Sequence, residues 1–137
     1  MSTEPINERY QKGLKVLDAI SGASGRAMLE NMRSVAPALA DWAVEFGYGD
    51  VVSRPGLDLR TRQLATVAAL TALGTAAPQL RTHLNGALNV GCTPVEIIEV
   101  IQQMAVFAGF PAAINGAAAA REVFEARGLQ FVPAAPV

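Results

Sequence analysis

The chain has 137 residues, 51% of them hydrophobic and 17% charged, and a formal net charge of −1. It therefore lacks the basic balance that nucleic acid calls for, holds no apolar run long enough to span a membrane, and with a single cysteine can form neither an internal disulfide, a zinc cluster nor a Cys-x-x-Cys redox pair. These bounds point to one domain over residues 1–137 in the reducing cytoplasm, with more apolar surface than a small monomer needs and hence a subunit interface.

The polar start, Met1-Ser2-Thr3-Glu4-Pro5-Ile6-Asn7-Glu8-Arg9-Tyr10, has no signal-peptide core, which fits the cytoplasmic expectation. Asn7 to Ile20 reads as a first helix, stopped by Ser21-Gly22-Ala23-Ser24-Gly25. Arg26 to Phe46 reads as a second, which Pro37 kinks or restarts because proline has no N–H and clashes with the preceding turn. Gly47-Tyr48-Gly49-Asp50 and Ser53-Arg54-Pro55-Gly56 are expected to bound a short connection around Val51 and Val52, the glycines permitting a tight turn.

Asp58 is placed to cap a third helix from Leu59 to Leu73, with Gly74 after it. That helix is apolar around most of its circumference, as expected for one in the middle of a bundle or under a partner subunit. A fourth helix runs from about Pro78 to Val90, stopped by Gly91. Thr93-Pro94-Val95-Glu96 is a capping box with proline at the first helical position. Behind it Ile97, Ile98, Ile101, Met104, Ala105 and Ala108 fall on one stripe, a helical period. Gly109-Phe110-Pro111 restarts an alanine-dense last helix that reaches about Arg127, and 129–137 reads as an irregular tail. No segment alternates like a strand. The predicted class is all-α, about six helices with short loops.

The chain has one histidine, His83, the side chain best suited to move a proton near neutral pH. On its helix Leu80, Leu84, Ala87, Leu88 and Gly91 form the apolar stripe. His83 lies about 60° off its centre line, at the edge. Such a position suits a proton donor bordering an apolar cleft, and equally a partly buried imidazole bonded to a carbonyl. Arg54, Arg60 and Arg62 crowd the turn before the third helix, and Arg81 follows near His83. Arginine presents a permanent planar fork matched to carboxylates. These arginines are candidates for an anion site, or for ion pairs with Asp58, Glu45 or another subunit. Glu96 is accounted for by the capping box, and Trp42, Phe46 and Phe107 by core or interface.

Taken together, Gly49-Asp50, Arg54-Pro55-Gly56-Leu57, Thr61-Arg62, His83-x3-Ala87-x3-Gly91, Thr93-x2-Glu96-Ile97-x-Glu99-Val100 and Gly109-x-Pro111-Ala112-Ala113 make a pattern. It resembles the carboxymuconolactone decarboxylases of the alkylhydroperoxidase D-like superfamily, over nearly the whole chain. The resemblance implies a helical bundle assembled as a homo-oligomer, commonly a trimer or hexamer. It implies a site with no metal and no organic cofactor, and a carboxylated lactone or similar small acid as substrate, with no nucleic acid and no membrane as partner. The reaction implied is release of CO2 from 4-carboxymuconolactone, giving an enol-lactone of the β-ketoadipate pathway. His83 is then the proton donor or dienolate stabiliser, Arg54 and Arg62 anchor carboxylates, and Arg81 is a third candidate. The peroxidase branch has a Cys-x-x-Cys pair where this chain has Ala76 and Gln79, which removes thiol-based peroxide reduction. The sequence departs from the lactone-acting pattern at Leu17, Asp18, Tyr48, Gln63 and Phe107, and the alternative to catalysis is a small-molecule-binding or structural oligomer.

Overall fold

Over residues 7–136, which the computed structural model describes, the chain forms seven α-helices and one π-helical stretch, with no strand among the described residues. The all-α expectation holds, with seven helices where about six were anticipated. The chain divides into two units, one ending at Asp58 and the other starting at Leu59.

In the first unit α1 spans Glu8–Ile20, and the Asn7 side chain caps it by accepting from the Tyr10 N–H. A single residue, Ser21, separates it from α2, Gly22–Arg33. Gly22 takes φ +55° there, a conformation glycine adopts without strain. The helical stretch expected from Arg26 to Phe46 begins earlier, at Gly22, and restarts at Pro37 as that proline requires. α2 ends at Arg33, the pre-proline residue Ala36 is drawn out to φ −139°, and Pro37 opens α3, Pro37–Trp42.

α3 runs directly into a π-helix, Ala43–Val52. The turn expected at Gly47-Tyr48-Gly49-Asp50 is thus a continuation of helix with wider i→i+5 bonding, as from the Ser53 N–H to the Tyr48 carbonyl at 3.0 Å. Its physical reason is a close approach to α1. A Cβ on Gly49 would sit 2.6 Å from the Arg9 carbonyl oxygen, and one on Gly13 would sit 2.1 Å from that of Val44. Two glycines on facing helices let the backbones touch. Around that contact Leu17, Leu29, Ala40 and Val44 form a core, with Tyr10 and Tyr48 packed against it.

The second unit follows the sequence reading closely. Its helices are α4 (Leu59–Leu73), α5 (Ala77–Asn89), α6 (Pro94–Ala108) and α7 (Phe110–Ala126). Gly74, Gly91 and Gly109 take positive φ at the junctions. The Thr93–Glu96 capping box is complete in both directions. α4 packs on α5 and α6, and α7 on α5 and α6. Leu84, Ile97, Ile101, Ala120 and Phe124 are among the residues of the shared core. Residues 129–136 carry no regular secondary structure. Phe131 packs its ring 5.8 Å from that of Phe124.

Candidate active site

α5 buries Leu80, Leu84, Gly86 and Ala87. His83 stands beside that stripe, half-buried, at the edge position its helical phase requires. Gly91 lies past the helix end and serves only as the stop.

The partner of His83 comes from α4. The buried stripe of that helix is Gln63, Val67 and Thr71, at i, i+4 and i+8. Gln63 is 2% exposed, and its Oε1 lies 3.0 Å from His83 Nδ1. A buried amide must find a hydrogen-bonding partner or lose the bonds it made to water, and the imidazole provides one. Burial holds the His83 pKa below the ordinary histidine value of 6.5, so the ring is neutral at pH 7. One ring nitrogen is engaged, and Nε2 is the atom left for a bound molecule.

The arginines separate into different settings. Arg60 pairs with Glu96, so Glu96 both closes the capping box and ties the start of α6 to the start of α4. Arg81 pairs with Glu122 of α7 at 2.7 Å in an exposed ion pair. Arg62 is half-buried on α4, next in sequence to Gln63. Arg54 lies in the exposed turn near the end of the first unit. Within the second unit the fold thus brings together His83 and Gln63 and directs Arg81 to an acid on α7. Cys92 is buried, its thiol facing the Arg60 carbonyl at 3.4 Å. No group of three or more His, Cys, Asp or Glu placed to hold a metal ion occurs among the described residues, and no helix among them is long and apolar enough to cross a membrane.

Two of the departures noted in the sequence, Leu17 and Asp18, have structural explanations in the first unit. Leu17 is fully buried in its core. Asp18 accepts a two-pronged contact from Arg26, both bonds 2.8 Å, and that guanidinium holds its carboxyl below the usual range. Gln63 as the partner of His83 is the feature that residue-by-residue reading missed. Its signals were the departure from the family pattern at this position and a polar residue four positions before Val67 on a helix apolar on most sides.

Comparison with known proteins gives the chain a family and relatives. The model of the carboxymuconolactone decarboxylase family matches residues 37–122. The chain is 37% identical over 123 residues to 4-carboxymuconolactone decarboxylase of Acinetobacter baylyi, covering 89% of this chain and 91% of that protein. It is 35% identical over 120 residues to an uncharacterized 15.0 kDa protein of Paracoccus denitrificans, covering 87% and 90%. It is 32% identical over 125 residues to nitrosuccinic acid decarboxylase of Metarhizium robertsii, covering 84% of each.

Proposed function

From its membership of the carboxymuconolactone decarboxylase family, to which the chain belongs, we propose that it is a cofactor-independent carboxy-lyase. It releases CO2 from 4-carboxymuconolactone or from a related lactone or keto acid, in the cytoplasm. The two decarboxylases among its relatives are named for acids in which a carboxylate sits near a strong electron sink, a lactone in one and a nitro group in the other. That arrangement lets the bond to CO2 break with its electron pair left on carbon and spread into the sink. The protein then has three tasks: to anchor the substrate carboxylates, to stabilise the charge that develops, and to give a proton to carbon.

His83 takes the proton-handling task. The observation that carries this reading is the half-buried His83 ring held through Nδ1 by the buried Gln63 amide, which leaves Nε2 for a substrate. Arg62, beside Gln63 in the chain, is the first candidate to anchor a carboxylate. Arg54 is the sequence's second candidate, and Arg81, which pairs with Glu122 on α7, its third.

The family likeness and the exposed apolar side chains support a homo-oligomer, a trimer or hexamer. Leu39, Trp42 and Phe46 follow one another along one helical stripe in the first unit, and Val106, Phe107, Phe110 and Ile114 stand exposed in the second. An apolar groove of about 450 Å3, lined by Ile98, Ala105, Phe110 and Ile114 among others, runs beside the latter group. Patches of this kind mark protein–protein contact.

The test is to supply 4-carboxymuconolactone and measure CO2. The wild-type chain is expected to turn it over, and His83→Gln to slow release by about 10²–10⁴-fold with the oligomer intact. Full activity in His83→Gln would remove the residue from the mechanism. Lactone recovered bound but unchanged from the wild-type chain would favour a binding protein instead.

A further inference from the structure

We propose that Gln63 is a positioning residue that fixes the His83 imidazole in its Nδ1–H form, so that Nε2 is the atom that takes up and delivers the proton. The use made of that proton rests on the decarboxylase reading above; the choice of ring nitrogen rests on geometry. A carbonyl oxygen carries lone pairs and no hydrogen. The 3.0 Å contact between Gln63 Oε1 and His83 Nδ1 is a hydrogen bond only when Nδ1 is the donor. A neutral imidazole has a single ring hydrogen, which places it at Nδ1 and leaves a lone pair on Nε2. Gln63 is 2% exposed, on the same buried stripe as Val67 and Thr71. Its amide is therefore held by packing rather than by solvent.

The nature of the partner matters as much as its position. An amide orients the ring but carries no charge, so it does not favour the imidazolium as a carboxylate at the same place would. The charged side chains on the helices around α5 are largely committed elsewhere. Arg60 of α4 pairs with Glu96 of α6, and Arg81 of α5 pairs with Glu122 of α7. On α7, Arg121 pairs with Glu125, and Arg127, just past its end, donates to Asn85 and Asn89. Asp58 ahead of α4 and Glu99 of α6 are exposed, and Arg62 is half-buried. Burial is the one cause that moves the His83 pKa, and it moves it down.

The resting ring is consequently a proton acceptor at Nε2. In a turnover it takes one proton from bulk water, which is left as hydroxide, and becomes imidazolium. The substrate carboxylate then leaves as CO2, its bonding electron pair staying on carbon, and Nε2 returns the proton to that carbon. One proton is consumed and the ring is neutral again. The rate follows the imidazolium fraction, so kcat/KM falls as pH rises through the His83 pKa.

The experiment is nitrogen-15 NMR of the full-length chain without substrate. His83 is its only histidine, so every imidazole signal belongs to it. At about pH 8, well above the ordinary histidine value, the expected spectrum shows a protonated Nδ1 and a bare Nε2. A ring protonated mainly at Nε2 would mean that Gln63 donates its amide hydrogen, and would overturn the proposal. In Gln63→Glu the titration midpoint is expected to rise by about one pH unit or more, and the falling limb of CO2 release to move to higher pH with it. An unchanged midpoint in folded Gln63→Glu would also overturn it. Where a carboxylate at this buried position prevents folding, the wild-type spectrum still decides. Because ring state and titration are read without substrate, an Nδ1–H ring in a chain that releases no CO2 would count against the decarboxylase reading and leave the role of Gln63 standing.

Discussion

His83 couples stability to pH. Its folded pKa lies below the ordinary value of 6.5 because of burial, so as pH drops the unfolded chain takes up this proton before the folded chain does. The stability associated with the neutral ring is complete above 6.5 and is lost as pH falls from there through the lower folded pKa. Denaturant melts at about pH 7.5 and about pH 5.5 should therefore show a smaller acid loss in His83→Gln than in the wild-type chain. Equal losses would mean that the ring is not held neutral. His83 was legible in the sequence as an edge-of-stripe residue, because helical phase is a local property. Gln63 was not legible as its partner. The two are 20 positions apart on different helices, and their meeting depends on how α4 and α5 pack. The same holds for Arg60 and Arg81, which the sequence offered as anion binders. Their acids, Glu96 and Glu122, come from other helices.

The helices show where local chemistry suffices and where it does not. Caps and glycine stops act over a few residues, and the four helices of the second unit lie where those signals placed them. Thr93→Ala should destabilise the protein by about 1 kcal/mol, the usual value of an N-cap, as read from its denaturation midpoint. The π-helix had no such signal. Glycine pairs ordinarily mark turns, and only the contact with α1 shows why this stretch stays helical. Two substitutions two residues apart separate these reasons. Gly49→Ala brings a methyl group against the Arg9 carbonyl oxygen and should cost about 1–3 kcal/mol or more, since backbone cannot step aside. Gly47→Ala meets nothing within 4 Å and should be neutral or stabilise by up to about 1 kcal/mol. Similar effects at both positions would sink the close-approach account.

At the scale of the whole molecule, the surplus of apolar residues evident in the composition reappears as large side chains left in solvent. Phe107 is 77% exposed and Phe110 72%, a costly arrangement for a chain that stays alone. Light scattering is expected to give a mass several times that of one chain, and Phe107→Asp combined with Phe110→Asp to reduce it. A monomeric wild-type chain would refute the oligomer. Composition announced a surplus of apolar residues but held no information on where it would stand in solvent, which only the folded surface discloses.

The position of Trp42 has a practical corollary. It is the only tryptophan in the sequence, and it stands 63% exposed on the Leu39–Phe46 stripe. Its fluorescence therefore says little about whether the core is intact and much about whether that stripe is covered. Emission near that of the free indole on dilution, shifting to the blue as concentration rises, would make the chain its own optical gauge of assembly. Constant emission across a range in which the mass changes would place this stripe outside the interface.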